Sequence, residues 1–233
     1  MAELRFIETE QGLGLTDGER TVRADFSEML PRLRRGNLGQ ELLVRAAKLK
    51  DLPSPVVWDA TAGLGEDSLL LAAAGYRVVL FERDSVIAAL LKDALRRAKE
   101  LPELEKTAER MILVEGDSIS YMNALPGPEF PDGGQPQALQ LKPPDIVFLD
   151  PMFPERKKSA LVKKKFQLLQ QLESPCGDER ELLRAAFHAR PAKIVIKRPL
   201  KGPNLAGVRP DYSLTGKAIR YDCILPASRR EMI

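Results

Sequence analysis

The sequence predicts an α/β fold in which a mostly parallel sheet of seven strands ends in an antiparallel hairpin. From residue 56 onward, short apolar segments alternate with segments whose apolar residues recur at helical spacing. This alternation is typical of a parallel sheet with helices on both faces. Near the C-terminus, two strand-like segments flank Thr215-Gly216-Lys217, a composition that favours a tight turn. A chain of 233 residues fits one such domain with a small addition.

The first 37 residues are predicted to form a small N-terminal extension of strands and loops, followed by the main domain over residues 38–233. Two candidate strands, Leu4–Glu8 and Thr21–Phe26, are separated by the glycine-rich segment Gln11–Gly18. The apolar spacing over Leu38–Leu49 then predicts a helix.

Five strands and several helices follow in the main domain. The predicted strands are Val56–Asp59, Arg77–Glu82, Met111–Glu115, Asp145–Asp150 and Lys193–Lys197. The predicted helices are Glu66–Ala74, Ser85–Glu100, Ser159–Leu172 and Asp178–Ala189. The hairpin is predicted to pair Tyr212–Leu214 with Ile219–Leu225. The segment Asn123–Pro144 contains six prolines and three glycines, which predicts an irregular surface loop.

Composition narrows the class of protein. Hydrophobic residues make up 44% of the chain, but no stretch approaches the roughly 18 apolar residues that a membrane helix needs. The charged start of the chain does not resemble a signal peptide, so we expect a soluble, cytoplasmic protein without a membrane partner. Cys176 and Cys223 match no zinc spacing, and His188 is the only histidine. We therefore expect neither a metal site nor catalysis by a Ser-His or Cys-His pair.

Basic residues are clustered although the net charge is only +3. Six basic residues and one acidic residue lie between Glu155 and Lys165, and shorter basic groups occur at 32–35 and 197–201. One such cluster is usually only a solvated surface. Three clusters that flank the motifs described next predict a surface for a polyanion.

The segment 56–67, V-V-W-D-A-T-A-G-L-G-E-D, joins a buried strand to a helix through a turn of small residues. Gly63 and Gly65 allow a ligand to approach the backbone closely, and the start of the helix offers unpaired N–H groups. In open α/β sheets, ligands bind in the crevice at the carboxyl ends of the strands. The segment therefore predicts a nucleotide-like ligand site.

Three ligands compete for this site. The G-K-[ST] of a phosphate-binding loop is missing, and the G-x-G-x-x-G of a dinucleotide site is only partly matched, with Ser68 in place of the last glycine. A nicotinamide cofactor therefore stays open as an alternative. S-adenosylmethionine (SAM) has no phosphate and carries an ammonium group and a sulfonium. Carboxylates at Asp59, Glu66 and Asp67 would repel a pyrophosphate but could receive this ammonium, which favours SAM.

Acidic residues also follow the next two strands. Glu82 ends the second strand 23 residues after Asp59, where an acid can accept hydrogen bonds from both ribose hydroxyls. Asp117 follows the third strand and could receive the adenine amino group, with Ser118 beside it. A structural role as a helix N-cap is the alternative for Asp67 or Asp117.

The fourth strand runs into D-P-M-F-P at 150–154, which resembles the [DN]-P-P-[FYW] motif of methyltransferases that act on exocyclic amines of bases. Such an amine is a poor nucleophile because its lone pair is delocalised into the ring. The Asp150 carboxylate and the Pro151 carbonyl could accept its N–H groups, while Phe153 stacks on the base. The alternative is an Asp-Pro turn with Phe153 in the core.

Five segments together resemble the ribosomal RNA small subunit methyltransferase J family: D-A-T-A-G-L-G-E-D at 59–67, F-E-R at 81–83, L-D-P-M-F-P at 149–154, K-S-A-L-V-K-K at 158–164 and V-I-K-R-P at 195–199. The resemblance implies a Rossmann-like class I SAM-dependent methyltransferase fold. It also implies N2-methylation of guanosine 1516 in bacterial 16S ribosomal RNA, either free or in a small-subunit particle. The cofactor contacts that it implies are Glu66, Asp67, Glu82, Arg83, Asp117, Ser118 and Asp150.

The basic clusters fit an RNA substrate. A basic helix directly after the catalytic loop could bind phosphates on either side of a flipped-out guanine. The predicted RNA contacts are Arg34, Arg35, Lys157, Lys158, Lys163, Lys164, Lys197 and Arg198. The motif alone does not distinguish guanine from adenine, so N6-adenine methylation stays open, as does an inactive RNA-binding protein with this fold.

Overall fold

Three short antiparallel strands come first in the computed structural model, which describes residues 4–125, 141–151 and 179–229. They are β1 (Arg5–Thr9), β2 (Gly12–Thr16) and β3 (Thr21–Val22). The predicted linker Gln11–Gly18 is therefore largely a strand, because its leucines alternate with glycines and Leu15 is buried. The predicted strand Thr21–Phe26 is shorter than expected because residues 26–29 form a 3₁₀ helix capped by the Asp25 side chain.

The main sheet has seven strands. They are β4 (Val56–Asp59), β5 (Arg77–Glu82), β6 (Met111–Glu115), β7 (Ile146–Leu149), β8 (Lys193–Pro199), β9 (Tyr212–Thr215) and β10 (Ile219–Ile224). Their spatial order is β6-β5-β4-β7-β8-β10-β9. β10 runs antiparallel to both β8 and β9, and all other pairs are parallel. The predicted sheet and its C-terminal hairpin are confirmed.

The strand order reverses at the centre of this sheet. From β4 the chain moves outward to β5 and β6, and it then returns to the other side of β4 to form β7 and β8. The crevice at the carboxyl ends of β4 and β7 is therefore the topological switch point, where ligands bind in open α/β sheets.

Eight α-helices lie within the described residues. They are α1 (Leu30–Leu33), α2 (Arg35–Leu38), α3 (Leu42–Ala47), α4 (Glu66–Ala73), α5 (Ser85–Glu100), α6 (Glu105–Ala108), α7 (Ser118–Asn123) and α8 (Glu179–His188). The predicted helix Leu38–Leu49 is the shorter α3, and the predicted helix Ser159–Leu172 lies outside the described residues. In the described ranges, no helix has the length and apolar character needed to cross a bilayer.

Both faces of the central strands of the main sheet are buried. Val57, Leu80 and Phe148 point into one hydrophobic cluster, while Trp58 and Phe81, their neighbours along the strands, point into another. Burial on both faces explains why the parallel strands are continuous apolar runs rather than alternating ones.

The N-terminal sheet packs against α5. The amide of Leu13 donates to Asp93 Oδ2 at 3.0 Å, and the guanidinium of Arg97 donates to the Ala24 carbonyl. Phe26 joins the cluster on the same face of the main sheet and lies against the loop that follows β4. The N-terminal segment is thus part of the surroundings of that loop, and the domain division at residue 37 stays a prediction.

Candidate active site

The predicted acidic residues lie at the carboxyl ends of four adjacent strands. Asp59 ends β4, Glu82 ends β5, Asp117 follows β6 and Asp150 follows β7. Because these strands are neighbours in the order β6-β5-β4-β7, the four carboxyl groups lie along one edge of the sheet. The structure therefore brings together the groups that the sequence predicted for a ligand site.

The turn after β4 depends on its glycines. Gly63 and Gly65 have φ angles of 52° and 80°, in the left-handed region that favours glycine. A Cβ atom on Gly65 would lie 2.7 Å from Leu91 Cδ1, so this position also lacks room for a side chain. Gly65 is the N-cap of α4 and provides no side-chain cap, which leaves the first amides of α4 for a ligand at the crevice.

Asp59 is buried and forms hydrogen bonds that order the loop after β4. Its side chain accepts hydrogen bonds from Ser68 Oγ at 2.6 Å and from the Thr61 amide at 3.2 Å, and the residue is 1% exposed. Burial raises its pKa to about 7, although these two hydrogen bonds oppose the rise. A carboxylate so enclosed has no surface for a ligand. The predicted direct contact between Asp59 and the cofactor is therefore not supported, and Asp59 orders the loop instead.

Glu82 connects the same loop to β5. Its Oε2 accepts from the Gly63 amide at 3.0 Å and its Oε1 from the Asp84 amide at 2.8 Å. Burial raises the pKa of this carboxyl, and the two amides partly offset the rise. Each oxygen can accept a further hydrogen bond, so a ribose contact stays a prediction. The neighbouring Arg83 is exposed.

Asp117 and Ser118 both have local structural partners. Asp117 Oδ2 accepts from the amide of Ser120 at 3.0 Å and from its hydroxyl at 2.8 Å, which makes Asp117 the N-cap of α7. The buried Ser118 donates from Oγ to the Ala60 carbonyl at 2.8 Å and so joins α7 to the loop after β4. The N-cap role raised from the sequence is therefore present, and a contact with adenine stays a prediction.

Lys197, which was predicted to contact RNA, lies in the crevice between two carboxylates. Its Nζ is 2.6 Å from Asp67 Oδ2 and 2.8 Å from Asp150 Oδ2. Asp67 belongs to the first turn of α4, next to the exposed Glu66, so the ammonium bridges the cofactor loop and the end of β7. An ammonium neutralised by two carboxylates is poorly suited to bind phosphate. Lys197 is therefore reassigned from an RNA contact to the site itself.

The charges in this cluster influence one another. Burial alone would lower the pKa of Lys197, but Asp67 and Asp150 reverse this effect and raise it. Burial raises the pKa of Asp150, while the ammonium of Lys197 opposes the rise and the carboxylate of Asp67 adds to it. Tyr221 of β10 is also buried here, and burial and both carboxylates raise its pKa. Tyr221 was not among the residues predicted from the sequence.

A second unpredicted residue fixes the backbone of Asp150. The Asp150 amide donates to Thr61 Oγ1 at 2.7 Å, which connects the ends of β4 and β7 across the switch point. Thr61 stands inside the motif D-A-T-A-G, where its hydroxyl distinguishes it from the small apolar residues on both sides. Pro151 is buried after Asp150, and Phe153 lies outside the described residues.

Arg198 is a buried structural residue. Its side chain is 0% exposed; it donates from Nε to the Pro203 carbonyl at 2.8 Å and pairs with Glu179 at 3.2 Å. A guanidinium in this position cannot reach an RNA phosphate, so the prediction for Arg198 is wrong. Arg34 and Arg35, in contrast, are exposed. The predicted contacts Lys157, Lys158, Lys163 and Lys164 lie outside the described residues.

The chemistry of this crevice fits SAM. The loop 59–67 contains no lysine or arginine for a diphosphate, while carboxylates surround it at Asp67, Glu82 and Asp150. Such groups complement an ammonium, ribose hydroxyls and a sulfonium. Within the described residues, no group of three or more His, Cys, Asp or Glu side chains could hold a metal ion.

Comparison with known proteins points to the same ligand. A SAM-dependent methyltransferase family model (SAM_MT) matches residues 2–226. A solved structure of a SAM-dependent methyltransferase from Neisseria gonorrhoeae superposes with a TM-score of 0.69 at 35% identity, covering 95% of this chain and 82% of that one. An rRNA methyltransferase from Streptomyces viridochromogenes, at 19% identity and a TM-score of 0.50 over 84% and 86% of the two chains, shares the fold alone.

The sequences of curated relatives are similar to this chain over most of their length. The ribosomal RNA small subunit methyltransferase J of Neisseria meningitidis is 41% identical over 214 residues, 92% of this chain and 80% of the relative. The protein of the same name from Pseudomonas aeruginosa is 42% identical over 220 residues, 91% and 78% of the two chains. The identity extends far beyond the loop motifs, so the chain belongs to the ribosomal RNA small subunit methyltransferase J family of SAM-dependent methyltransferases.

Proposed function

We propose that the protein transfers a methyl group from SAM to the exocyclic N2 amine of a guanosine in bacterial 16S ribosomal RNA, at position 1516 by resemblance to its family. One observation carries the chemistry: Asp150 lies at the switch point beside the cofactor loop, where its backbone amide donates to Thr61 Oγ1 and its carboxylate pairs with Lys197. The names of the relatives support the RNA substrate. A ribosomal RNA substrate would place the enzyme in the cytoplasm.

The cofactor would be held by the edge of the sheet already described. Glu82 would accept the ribose hydroxyls, Asp117 and Ser118 would lie beside the adenine, and the loop from Gly63 to Asp67 would surround the amino acid part. Bound SAM supplies an electrophilic methyl group on a sulfonium, which leaves as a neutral thioether. The protein's own task is then to orient an amine toward that methyl group.

Asp150 would perform this task with Pro151 and Phe153. Its carboxylate and the Pro151 carbonyl would accept the two N–H groups of the amine, which draws the nitrogen lone pair out of the ring. Phe153 would stack on the base and fix its plane. As the new N–C bond forms, the nitrogen loses one proton, and Asp150 Oδ1 would receive it.

Exposed arginines near the crevice would contact the RNA. The side chain of Arg32 pairs with Glu41 at 2.8 Å, and Asp67 is among the charges that raise the pKa of Arg32, so α1 lies close to the site. Arg34 and Arg35 follow directly and are exposed. Together with Lys157, Lys158, Lys163 and Lys164, they would bind phosphates beside a flipped-out base.

The test is methylation by the purified protein of 16S RNA that lacks the modification, followed by mass mapping of the methylated nucleoside. We expect one N2-methylguanosine per RNA. Parallel reactions with free 16S RNA and with small-subunit particles would identify the form of the substrate. Recovery of N6-methyladenosine instead would overturn the assignment of guanine.

A variant of Asp150, the residue proposed to accept the amine, completes this test. Asp150→Ala should lower kcat by at least about 100-fold, because the amine loses its acceptor. The matched control is Asp51→Ala, which removes an exposed carboxylate that precedes the amino end of β4, whereas the crevice lies at the carboxyl end of that strand. Methyl transfer by Asp150→Ala at the rate of the unmodified enzyme would exclude this mechanism.

A further inference from the structure

Lys197 joins two carboxylates that come from different elements. Its Nζ lies 2.6 Å from Asp67 Oδ2 on α4 and 2.8 Å from Asp150 Oδ2 after β7. The Lys197 side chain is 25% exposed and that of Asp67 is 18% exposed, so solvent screens this pair only partly. Both distances are those of charge-assisted hydrogen bonds.

We propose that Lys197 is a positioning residue for methyl transfer: its ammonium keeps the Asp150 carboxylate ionised and holds Oδ2, so that Oδ1 is left for the substrate amine. This inference rests on the proposed function, because it assumes that an amine binds at Asp150. In this role Lys197 affects the reaction by positioning Asp150 and does not contact the RNA.

Asp150 needs such a partner because its surroundings favour the protonated form. Burial disfavours the charged carboxylate, and the negative charges of Asp67 and Asp59 lie near enough to interact with it. A protonated Asp150 would present an O–H donor to the amine and could not draw out its lone pair. Among the described residues, the charged or titratable groups that influence this cluster are Asp59 of β4, Asp67 of α4, Lys197 of β8, Tyr221 of β10, Arg32 of α1 and, from the opposite face of β8, Arg198.

The main alternative is a contact between Lys197 and an RNA phosphate. Two carboxylates within hydrogen-bond distance already neutralise the ammonium, and a phosphate would add a third negative charge beside them. The third N–H of the ammonium could reach a phosphate only if that negative charge came close to both carboxylates. The geometry therefore favours the role toward Asp150.

The experiment compares Lys197→Met and Lys197→Arg with Lys50→Met as the matched control. Lys50 is exposed and lies two residues from Lys48, whose carbonyl accepts from Lys193 at the opposite, amino end of β8. The measurements are kcat and KM for RNA between pH 6 and pH 9, and the Kd for SAM by calorimetry. In Lys197→Met, Asp150 loses its positive partner and its pKa rises, so more of it is protonated at neutral pH.

We expect Lys197→Met to lower kcat at pH 7 by at least about 10-fold, with KM for RNA unchanged within about twofold. The acid limb of the kcat profile should move to higher pH by about one to three units, and the loss should shrink toward pH 9. Lys197→Arg should keep the limb near its original pH because it keeps the charge. Asp67→Asn should move the limb to lower pH, because it removes a negative neighbour of Asp150.

Two results would overturn the inference. A higher KM for RNA with an unchanged kcat profile would make Lys197 an RNA contact. An equal loss of kcat at every pH would leave Lys197 only a structural role.

The pKa of the Asp150 carboxyl tests the electrostatic part of the inference without any substrate. It can be followed by carbon-detected NMR in the unmodified protein and in Lys197→Arg and Asp67→Asn. An Asp150 pKa that does not fall in Asp67→Asn, or that rises in Lys197→Arg although the positive charge is kept, overturns the inference even if Lys197→Met fails to fold. Absence of N2-methylguanosine with the unmodified enzyme would instead refute the proposed function.

Discussion

The backbone amide of Asp150 donates a hydrogen bond to Thr61 Oγ1 at 2.7 Å. This contact connects residues 89 positions apart in the chain, at the place in the main sheet where the strand order reverses between β4 and β7. It therefore links the loop that would hold the cofactor to the residue that would hold the amine.

Thr61→Val tests this link because valine has nearly the shape of threonine but no acceptor. The partly buried amide of Asp150 loses its partner, which should weaken the position of Asp150 by about 1–2 kcal/mol and lower kcat by about 5- to 30-fold. The measurement is single-turnover methylation, with the Kd for SAM measured in parallel. Thr61→Ser keeps the hydroxyl and should retain most of the activity; equal losses in both variants would contradict the role of this hydrogen bond.

Much of the main sheet could be predicted from the sequence. β4, β5, β6 and α5 begin and end at the predicted residues, because each is a strongly apolar or strongly periodic segment with clear boundaries. β2 was not predicted, since its glycines are weak strand formers that indicated a loop. α7 was missed because its start is set by the Asp117 cap, a residue that was predicted to contact the ligand.

The site was predictable as a set of positions but not as a set of contacts. The acids at the strand ends follow from motif and topology, whereas the partners of Lys197 and Arg198 depend on α4 and α8, which are distant in sequence. Adjacent residues of a strand point to opposite faces, so these two side chains could not both contact RNA on one surface. One faces the crevice and the other the interior.

Gly65→Ala should destabilise the fold more than the same change at a similar glycine. At Gly65 the left-handed backbone and the 2.7 Å approach to Leu91 Cδ1 both oppose a side chain, and we expect a loss of about 3 kcal/mol in the free energy of unfolding. Gly75→Ala is the control, because Gly75 also has a positive φ but a Cβ there meets nothing within 4 Å. It should lose only about 1 kcal/mol. Equal losses in urea unfolding would show that crowding at Gly65 is unimportant.

Arg198→Met should reduce stability without affecting RNA binding. The buried guanidinium pairs with Glu179 and the Pro203 carbonyl, and its removal leaves both acceptors without that donor. We expect a loss of about 2 kcal/mol in unfolding free energy and an RNA Kd within about twofold of the original. The control is Arg77→Met, an exposed arginine at the amino end of β5. Weaker RNA binding at unchanged stability would return Arg198 to the RNA surface.

Arg34→Glu with Arg35→Glu should weaken RNA binding and leave SAM binding intact. Both arginines are exposed and follow α1, whose Arg32 interacts electrostatically with Asp67, so charge reversal should raise the RNA Kd at least about 10-fold. The salt dependence of binding should also become shallower, by about 0.7 in slope for each phosphate that is no longer neutralised. Lys163→Glu with Lys164→Glu should behave in the same way. An equal loss of SAM affinity in either double variant would contradict a purely phosphate-binding role.

Asp59→Asn should be more stable than the unmodified protein at high pH. At low pH the two proteins should have similar stability. The folded-state pKa of Asp59 is raised to about 7 from its ordinary value of 3.8, so the folded protein holds a proton that the unfolded chain releases between these values. Stability therefore falls as pH rises through this window, by at most about 4 kcal/mol above pH 7.

Asparagine cannot ionise, and its amide can still face Ser68 Oγ and the Thr61 amide. Urea unfolding at pH 4 and pH 8 should give similar stabilities for the two proteins at the lower pH and a more stable variant at the higher one. A difference independent of pH would mean that Asp59 is already ionised throughout, and that its hydrogen bonds to Ser68 and Thr61 outweigh the effect of burial.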